Sequence, residues 1–166
     1  MEAILTRRSV RKYSDREVPD ALVTDLLRAA MAAPSAQNQQ PWQFVVVRDR
    51  GVLESLAAAH PYGGMTRDAQ LAIVVCGDLG RERSPGFWVQ DCAAATENLL
   101  IAANAAGLGA VWTGIYPRDE RVAKVRAILG LPDRIIPLAV VPIGHPAEHP
   151  APADRFEPER VHIDHW

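Results

Sequence analysis

Hydrophobic and polar residues alternate along the chain with two periods, one typical of helices and the other typical of strands. From Asp20 to Ala33 the apolar residues recur at helical spacing, whereas Gln43 to Arg48 is a short run dominated by valine. The pattern predicts five helices and four strands. The helices span 1–6, 20–33, 49–59, 87–106 and 118–129, and the strands span 43–48, 71–76, 110–115 and 134–143.

Three of these segments also predict a position in the fold. Residues 71–76 are continuously apolar, as in a strand at the centre of a sheet that is covered on both faces. Residues 134–143 include Pro137 and Pro142, which favours an edge strand because proline has no N–H to donate. The 87–106 segment is apolar around nearly its whole circumference, so this helix should be buried on most sides, and Gly107 is suited to end it.

Composition and charge narrow the class of protein. The chain has 166 residues, and we expect a single domain over 1–166 with a real core. A formal net charge of -2 gives no reason to expect nucleic acid or an anionic membrane as a partner. Because there is no apolar run of 18 residues and no signal peptide, we expect a cytoplasmic protein.

The cysteines and histidines do not indicate a disulfide framework or a metal site. Cys76 and Cys92 are few and lie in apolar runs, and Cys92 is expected to be a small core residue rather than a nucleophile. Pro146 separates His145 from His149, which excludes a helical metal-binding pair.

A basic segment, residues 7–12, follows the first predicted helix and reads Arg7-Arg8-Ser9-Val10-Arg11-Lys12. Such a run is commonly a solvated surface patch. It is also suited to grip a phosphate, because the arginine fork matches phosphate oxygens and Ser9 adds a neutral donor. In an extended segment Val10 would point inward and hold Ser9 and Arg11 on the opposite face, which favours the phosphate interpretation.

An amide loop, residues 34–42, separates the second predicted helix from the first long strand and reads Pro34-Ser35-Ala36-Gln37-Asn38-Gln39-Gln40-Pro41-Trp42. Its prolines exclude a regular helix or a central strand. Its amide and hydroxyl groups both donate and accept hydrogen bonds, which suits the edge of a ligand of mixed polarity. The alternative is an ordinary helix-to-strand loop whose amides cap their own backbone.

The chain ends in a proline-rich C-terminal arm, residues 146–166, whose last large apolar residues are Val161, Ile163 and Trp166. A disordered tail would not normally end on such residues. We therefore expect the arm to dock on a surface, that of a second subunit being one candidate, with Arg155 beside Phe156.

Four blocks in the sequence make the chain resemble the nitroreductase family of FMN-dependent flavoproteins. They are Arg7-Arg8-Ser9-Val10-Arg11, Pro34-Ser35-x-x-Asn38-x-Gln40-Pro41-Trp42, Gly107-Leu108-Gly109-x-x-Trp112-Thr113-Gly114, and Gly144-His145-Pro146-Ala147-Glu148 with Arg155. Each block alone is weak evidence, whereas together they follow the family's order and span nearly the entire chain.

The resemblance implies an α+β fold, a three-layer α-β-α sandwich with a central mixed, mainly antiparallel sheet, and an intertwined homodimer. It also implies FMN as the cofactor. The phosphate and ribityl chain would be held by Arg7, Arg8, Ser9, Arg11 and Arg155. The flavin would be reached by amide-loop residues of the second subunit, namely Pro34, Ser35, Ala36 and Asn38. The isoalloxazine ring would lie along Trp112, Thr113 and Gly114.

The activity that the resemblance implies is hydride transfer from NADH or NADPH, by way of flavin N5, to a nitroaromatic, quinone or similar small acceptor, with ping-pong kinetics. No side chain is nominated as a general acid or base. Two other classes stay open. One is a flavin-binding sensor or storage protein without turnover, and the other is a relative of the same fold that acts as a dehalogenase or fragments flavin.

Asn38, Tyr62 and Trp88 are the candidates for substrate contact, although packing is the more ordinary role of the two aromatic residues. The chain departs from larger members of the family in lacking the helical insertion that covers the active site in some of them. Ala153 and Asp154 precede Arg155, so the second tail cation of some relatives is absent too.

Overall fold

A computed structural model describes all 166 residues and contains five α-helices and five strands. The helices are α1 (Glu2–Thr6), α2 (Asp20–Met31), α3 (Arg50–Ala59), α4 (Trp88–Ala105) and α5 (Asp119–Leu129). The strands are β1 (Trp42–Val47), β2 (Leu71–Asp78), β3 (Gly109–Ala110), β4 (Thr113–Gly114) and β5 (Ile135–Gly144). The predicted elements are confirmed, except that the single strand expected at 110–115 is two short strands separated by residues 111–112.

The strands form one sheet in the order β1-β2-β5-β3, and β4 also pairs with β5. All strand pairs are antiparallel, and the one parallel contact is an isolated bridge between Ser9 and Ala110. The sheet is therefore mainly antiparallel, as predicted. All eight residues of β2 are buried, which agrees with the central position that its apolar run indicates.

The predicted edge position of the last strand is wrong, because β5 pairs with β2 on one side and with β3 and β4 on the other. Its prolines stand where the ladder is irregular. Pro137 lies beside the register shift between Val75 and Cys76, and Pro142 stands opposite residues 111–112, which make no ladder pair. An irregular ladder tolerates a residue without an N–H, so both prolines are compatible with a central strand.

Helices cover both faces of the sheet and give the predicted three-layer sandwich. The helices α2 and α4 pack on one face, and α3 and α5 pack on the other. Alternate residues of β2 supply the two cores, since Ile73 and Val75 join the α2–α4 side whereas Ala72 and Val74 join the α3–α5 side.

The helix α4 is buried on most sides, as its apolar circumference predicts. Only Gln90 and Ala105 of its 18 residues are exposed, and the sheet, α2 and α1 provide its cover within the same chain. Gly107 follows its end with a φ of 73°, a left-handed conformation that favours glycine. Neither α4 nor any other helix combines the length and the hydropathy that a membrane span requires.

The contact between α4 and β2 generates a prediction about stability. A Cβ added at Gly77 would lie 2.3 Å from Cε3 of Trp88. We predict that Gly77→Ala lowers the free energy of unfolding by about 1–3 kcal/mol, because the indole would have to move within a packed core. Denaturant unfolding measures this change. Gly64→Ala is the control, since an added Cβ there has no atom within 4 Å, and equal effects of the two substitutions would contradict the prediction.

Candidate functional site

The basic segment runs as an extended stretch beside the short strand β3. The N–H of Val10 donates to the carbonyl of Ala110 at 3.0 Å. Val10 is buried, Ser9 is half-buried and Arg11 is exposed, which is the alternation that the sequence predicts. Val10 also packs closely on Gly109, where an added Cβ would lie 2.6 Å from Cγ1 of Val10.

Cations from both ends of the chain converge on one cavity of about 550 Å³. The residues that line it are Arg7, Arg8, Ser9, Arg11, Lys12, Glu148, Pro150 and Arg155. Five cations therefore face one carboxylate, and that carboxylate already accepts the backbone N–H of Arg11 at 2.6 Å. The structure thus brings together every residue that was predicted to hold a phosphate.

Most of these cations have no acidic partner. The Nε of Arg7 lies 3.3 Å from a carboxylate oxygen of Glu97, whereas Arg8, Arg11, Lys12 and Arg155 form no ion pair. Like charges that face one cavity repel each other, so the arrangement favours an anionic ligand. Arginine forks match the oxygens of a phosphate in particular.

Polar side chains of α4 hold the basic segment and α1 in place. Glu97 pairs with Arg7, and Nδ2 of Asn104 donates to the carbonyl of Ala3 at 3.0 Å and to the hydroxyl of Thr6 at 2.9 Å. The sequence analysis missed both α4 residues. The available signal was their polarity within a largely apolar helix, where half-buried polar groups tend to have partners in the protein.

The amide loop has an unusual backbone. Gln37, Asn38 and Gln40 have φ values of 48°, 52° and 46°, so three residues other than glycine adopt the left-handed conformation. Each such residue costs of the order of 1–3 kcal/mol and persists only where its surroundings fix it.

A buried pair fixes the amide loop to α4. Asp91 is 5% exposed, and its two carboxylate oxygens accept the N–H of Ala36 at 2.9 Å and Nε2 of Gln39 at 2.6 Å. Gln39 is 3% exposed, and its Oε1 accepts the backbone N–H groups of Arg83 at 2.8 Å and Ser84 at 3.0 Å. The sequence analysis missed the role of this pair, for which the only signal was an acidic residue in the first turn of an apolar helix.

On the outer side of the amide loop, only some of the polar groups form hydrogen bonds with each other. The hydroxyl of Ser35 accepts the N–H of Gln40 at 3.0 Å, and Nε2 of Gln40 donates to Oδ1 of Asn38 at 2.9 Å. The expected alternative of self-capping is therefore present. Asn38 and Gln40 nevertheless remain exposed, as does Pro34, and no residue of this loop lines the basic cavity.

The three residues predicted to lie along a flavin ring have different surroundings. Trp112 is half-buried against the α2–α4 core, and the buried hydroxyl of Thr113 donates to the carbonyl of Val140 at 2.6 Å. Gly114 is partly exposed, and an added Cβ there would have no atom within 4 Å. Gly114 therefore has open space beside its backbone.

A histidine and an arginine from distant segments meet at the end of β4. Nη1 of Arg121 donates to the carbonyl of Gly114 at 3.0 Å and lies 2.8 Å from Nε2 of His60. Burial, followed by the charge of Arg121, lowers the pKa of His60, so its imidazole is neutral at neutral pH. The sequence analysis missed this pair because its members are 61 residues apart and belong to no local pattern.

The two aromatic candidates for substrate contact lie in opposite environments. Tyr62 is 78% exposed and stands edge-on to His60, with ring centroids 6.1 Å apart. Trp88 is only 6% exposed and packs on Gly77, which favours the alternative of packing. Cys92 is buried in the same core, and burial raises the pKa of its thiol, so its predicted core role is confirmed.

Comparisons with known proteins agree with this fold. A model described as "Nitroreductase family" matches residues 4–61 and 54–145. A Methanothermobacter thermautotrophicus protein named "Putative NADH dehydrogenase/NAD(P)H nitroreductase" is 52% identical, over 100% of this chain and 87% of its own length. A crystal structure of a protein of the same name from Parabacteroides distasonis is 45% identical, with a TM-score of 0.96 over 99% of this chain and 97% of that chain. An FMN-dependent nitroreductase from Clostridium difficile is 27% identical, with a TM-score of 0.93 over 100% of both chains. With a family match along most of its length and a relative more than half identical, the chain belongs to the nitroreductase family.

Proposed function

We propose that the protein is an FMN-dependent oxidoreductase that takes hydride from NADH or NADPH and reduces a nitroaromatic, a quinone or a similar small acceptor. The observation that carries this proposal is the cavity lined by five cations from both ends of the chain. A phosphate dianion would relieve the repulsion among these cations. The names of the relatives, which include NAD(P)H nitroreductase and FMN-dependent nitroreductase, agree with this ligand and this reaction.

The residues of the site fit FMN. The guanidinium groups of the basic segment and Arg155 would hold the phosphate and the start of the ribityl chain, with Ser9 as a neutral donor. The open space above Gly114 would admit a flat ring against the backbone. When bound, FMN supplies the hydride transfer itself, so we assign no side chain as a general acid or base.

The nicotinamide and the acceptor are proposed to use the same open side of the site in turn, and we therefore expect ping-pong kinetics. Tyr62 and Asn38 are both exposed and are proposed to line this side. Trp88 is left out of this proposal, because its burial favours a packing role.

Anaerobic reduction tests the proposed reaction directly. The FMN-loaded protein is mixed with NADH or with NADPH, and the flavin absorbance is followed by stopped flow. We expect bleaching of the flavin band by at least one nucleotide and its recovery when a nitroaromatic or a quinone is added. Absence of bleaching with both nucleotides would overturn the oxidoreductase proposal in favour of flavin binding without turnover.

The phosphate grip generates a second prediction. We expect Arg155→Ala or Arg7→Ala to weaken FMN binding about ten- to a hundredfold, or about 1.5–3 kcal/mol, because each removes a charge-assisted hydrogen bond to the phosphate. Fluorescence titration of the apoprotein with FMN measures this change.

Riboflavin, which lacks the phosphate, is the control ligand for FMN. Arg16→Ala is the control for the arginine substitutions, because Arg16 is an exposed cation outside the cavity. Riboflavin should bind weakly to the unaltered protein, and Arg16→Ala should bind FMN normally. Equal affinity for FMN and riboflavin would show that the basic segment is only a solvated patch.

We further propose that the protein is an obligate homodimer whose C-terminal arm docks on the second subunit. Within one chain every residue from 151 to 166 except Glu157 is exposed. The exposed fractions reach 74% for Phe156, 83% for Ile163 and 101% for Trp166. Large apolar side chains grouped on one extended arm indicate an interaction surface. An interface of this obligate type would exceed about 2,000 Å².

Two truncations separate the roles that the arm is proposed to have. Deleting residues 157–166 should weaken dimerisation while Arg155 remains. At a protein concentration at which both truncated chains are still dimeric, deleting 151–166 should in addition weaken FMN binding about tenfold or more. Sedimentation velocity and FMN titration measure the two effects. If the complete chain sediments at micromolar concentration as an 18.1 kDa monomer that still holds FMN, the dimer proposal is wrong.

A further inference from the structure

The carboxylate of Asp91 is buried in the first turn of α4 without a cationic partner. Its oxygens instead accept two neutral donors of the amide loop, the N–H of Ala36 and Nε2 of Gln39. A buried charge without a counter-ion is unfavourable unless hydrogen bonds compensate for lost hydration. An apolar residue would fill a core more simply, so this carboxylate has a specific purpose in holding the loop.

The amide of Gln39 can point in only one direction. Its nitrogen faces Asp91, and its oxygen accepts the N–H groups of Arg83 and Ser84. Gln39 is also the only buried residue between Pro34 and Gln40. A polar clamp, rather than apolar packing, therefore holds the loop in a shape that contains three left-handed residues other than glycine.

We propose that Asp91 and Gln39 are positioning residues for flavin binding, which hold the amide loop in the strained shape that presents Ser35 and Asn38 to the flavin of the second subunit. This inference rests on the proposed function. The exposed edge of the loop is pinned from beneath by buried hydrogen bonds, which is the support that a binding surface built on a loop requires.

The clamp allows an exchange experiment. In Asp91→Asn, an amide N–H₂ would face the N–H₂ of Gln39, and in Gln39→Glu two carboxylates would face each other. In the double variant, the Glu carboxylate at position 39 would still accept the N–H groups of Arg83 and Ser84 and would also accept the Asn N–H₂ at position 91. The Asn oxygen at position 91 would still accept the N–H of Ala36. All four hydrogen bonds return, and only the location of the charge changes.

Three readouts are compared on the full-length protein: FMN affinity, hydrogen–deuterium exchange of residues 36–40, and the thermal midpoint of the apoprotein. We expect each single variant to bind FMN at least about tenfold more weakly and to exchange faster in the loop, and the double variant to return to within about threefold of the unaltered protein. Asp25→Asn, the same change at an exposed site of α2, should alter neither FMN affinity nor loop exchange.

Two results would overturn the inference. One is single variants that lose thermal stability but keep their FMN affinity, because the clamp would then be structural only. The other is a double variant that binds FMN no better than the folded single variants, or that does not fold, because restored hydrogen bonds would then not restore the site. If the unaltered protein itself does not bind FMN, the proposed function fails as well, so the two failures are distinguishable.

Discussion

The burial of α4 is the constraint on which the rest of the structure depends. All but two of the residues of α4 are buried or half-buried, and several of its polar side chains bind neighbouring segments of the protein. Asp91 accepts a hydrogen bond from the amide loop, Glu97 forms an ion pair with Arg7, and Asn104 donates a hydrogen bond to α1. The segments proposed to bind the cofactor are therefore attached to the most deeply packed helix, although they themselves lie at the surface.

The cationic cavity is a local feature, since the whole chain has a formal net charge of -2. Hydrogen bonds hold Arg11 and Lys12 against the segment that follows β5, because the N–H of Ala147 donates to the carbonyl of Lys12 at 2.9 Å and the N–H of Arg11 donates to the carboxylate of Glu148. The free energy of folding of the sheet and of the segments along its edge therefore offsets the repulsion among these charges. Fixing these two residues in advance reduces the reorganisation that an anion would require on binding, which favours affinity.

Local patterns predicted the elements of the fold because hydrophobic periodicity is itself a local property. The apolar run of β2 and the circumference of α4 were sufficient to place both elements in the core. The errors concern relations between distant residues. Pro142 indicated an edge strand because the gap between β3 and β4 that accommodates it is a tertiary feature. In the same way, Gln39 and Asp91 are 52 residues apart, and no spacing rule connects them.

The attachment points on α4 also bear on how a complete site is assembled. Glu97, which pairs with Arg7 of the basic segment, lies 6 residues after Asp91, and Asn104, which binds α1, lies 13 residues after it. These separations are about 9 Å and about 20 Å along a helix axis at 1.5 Å per residue. The amide loop is held near one end of α4 and α1 near the other, and the loop contributes nothing to the basic cavity of its own chain. A rigid helix cannot shorten this distance. In the proposed dimer, a two-fold axis would bring the loop of one subunit to the basic segment of the other, and this would account for a loop that takes no part in the cavity of its own chain.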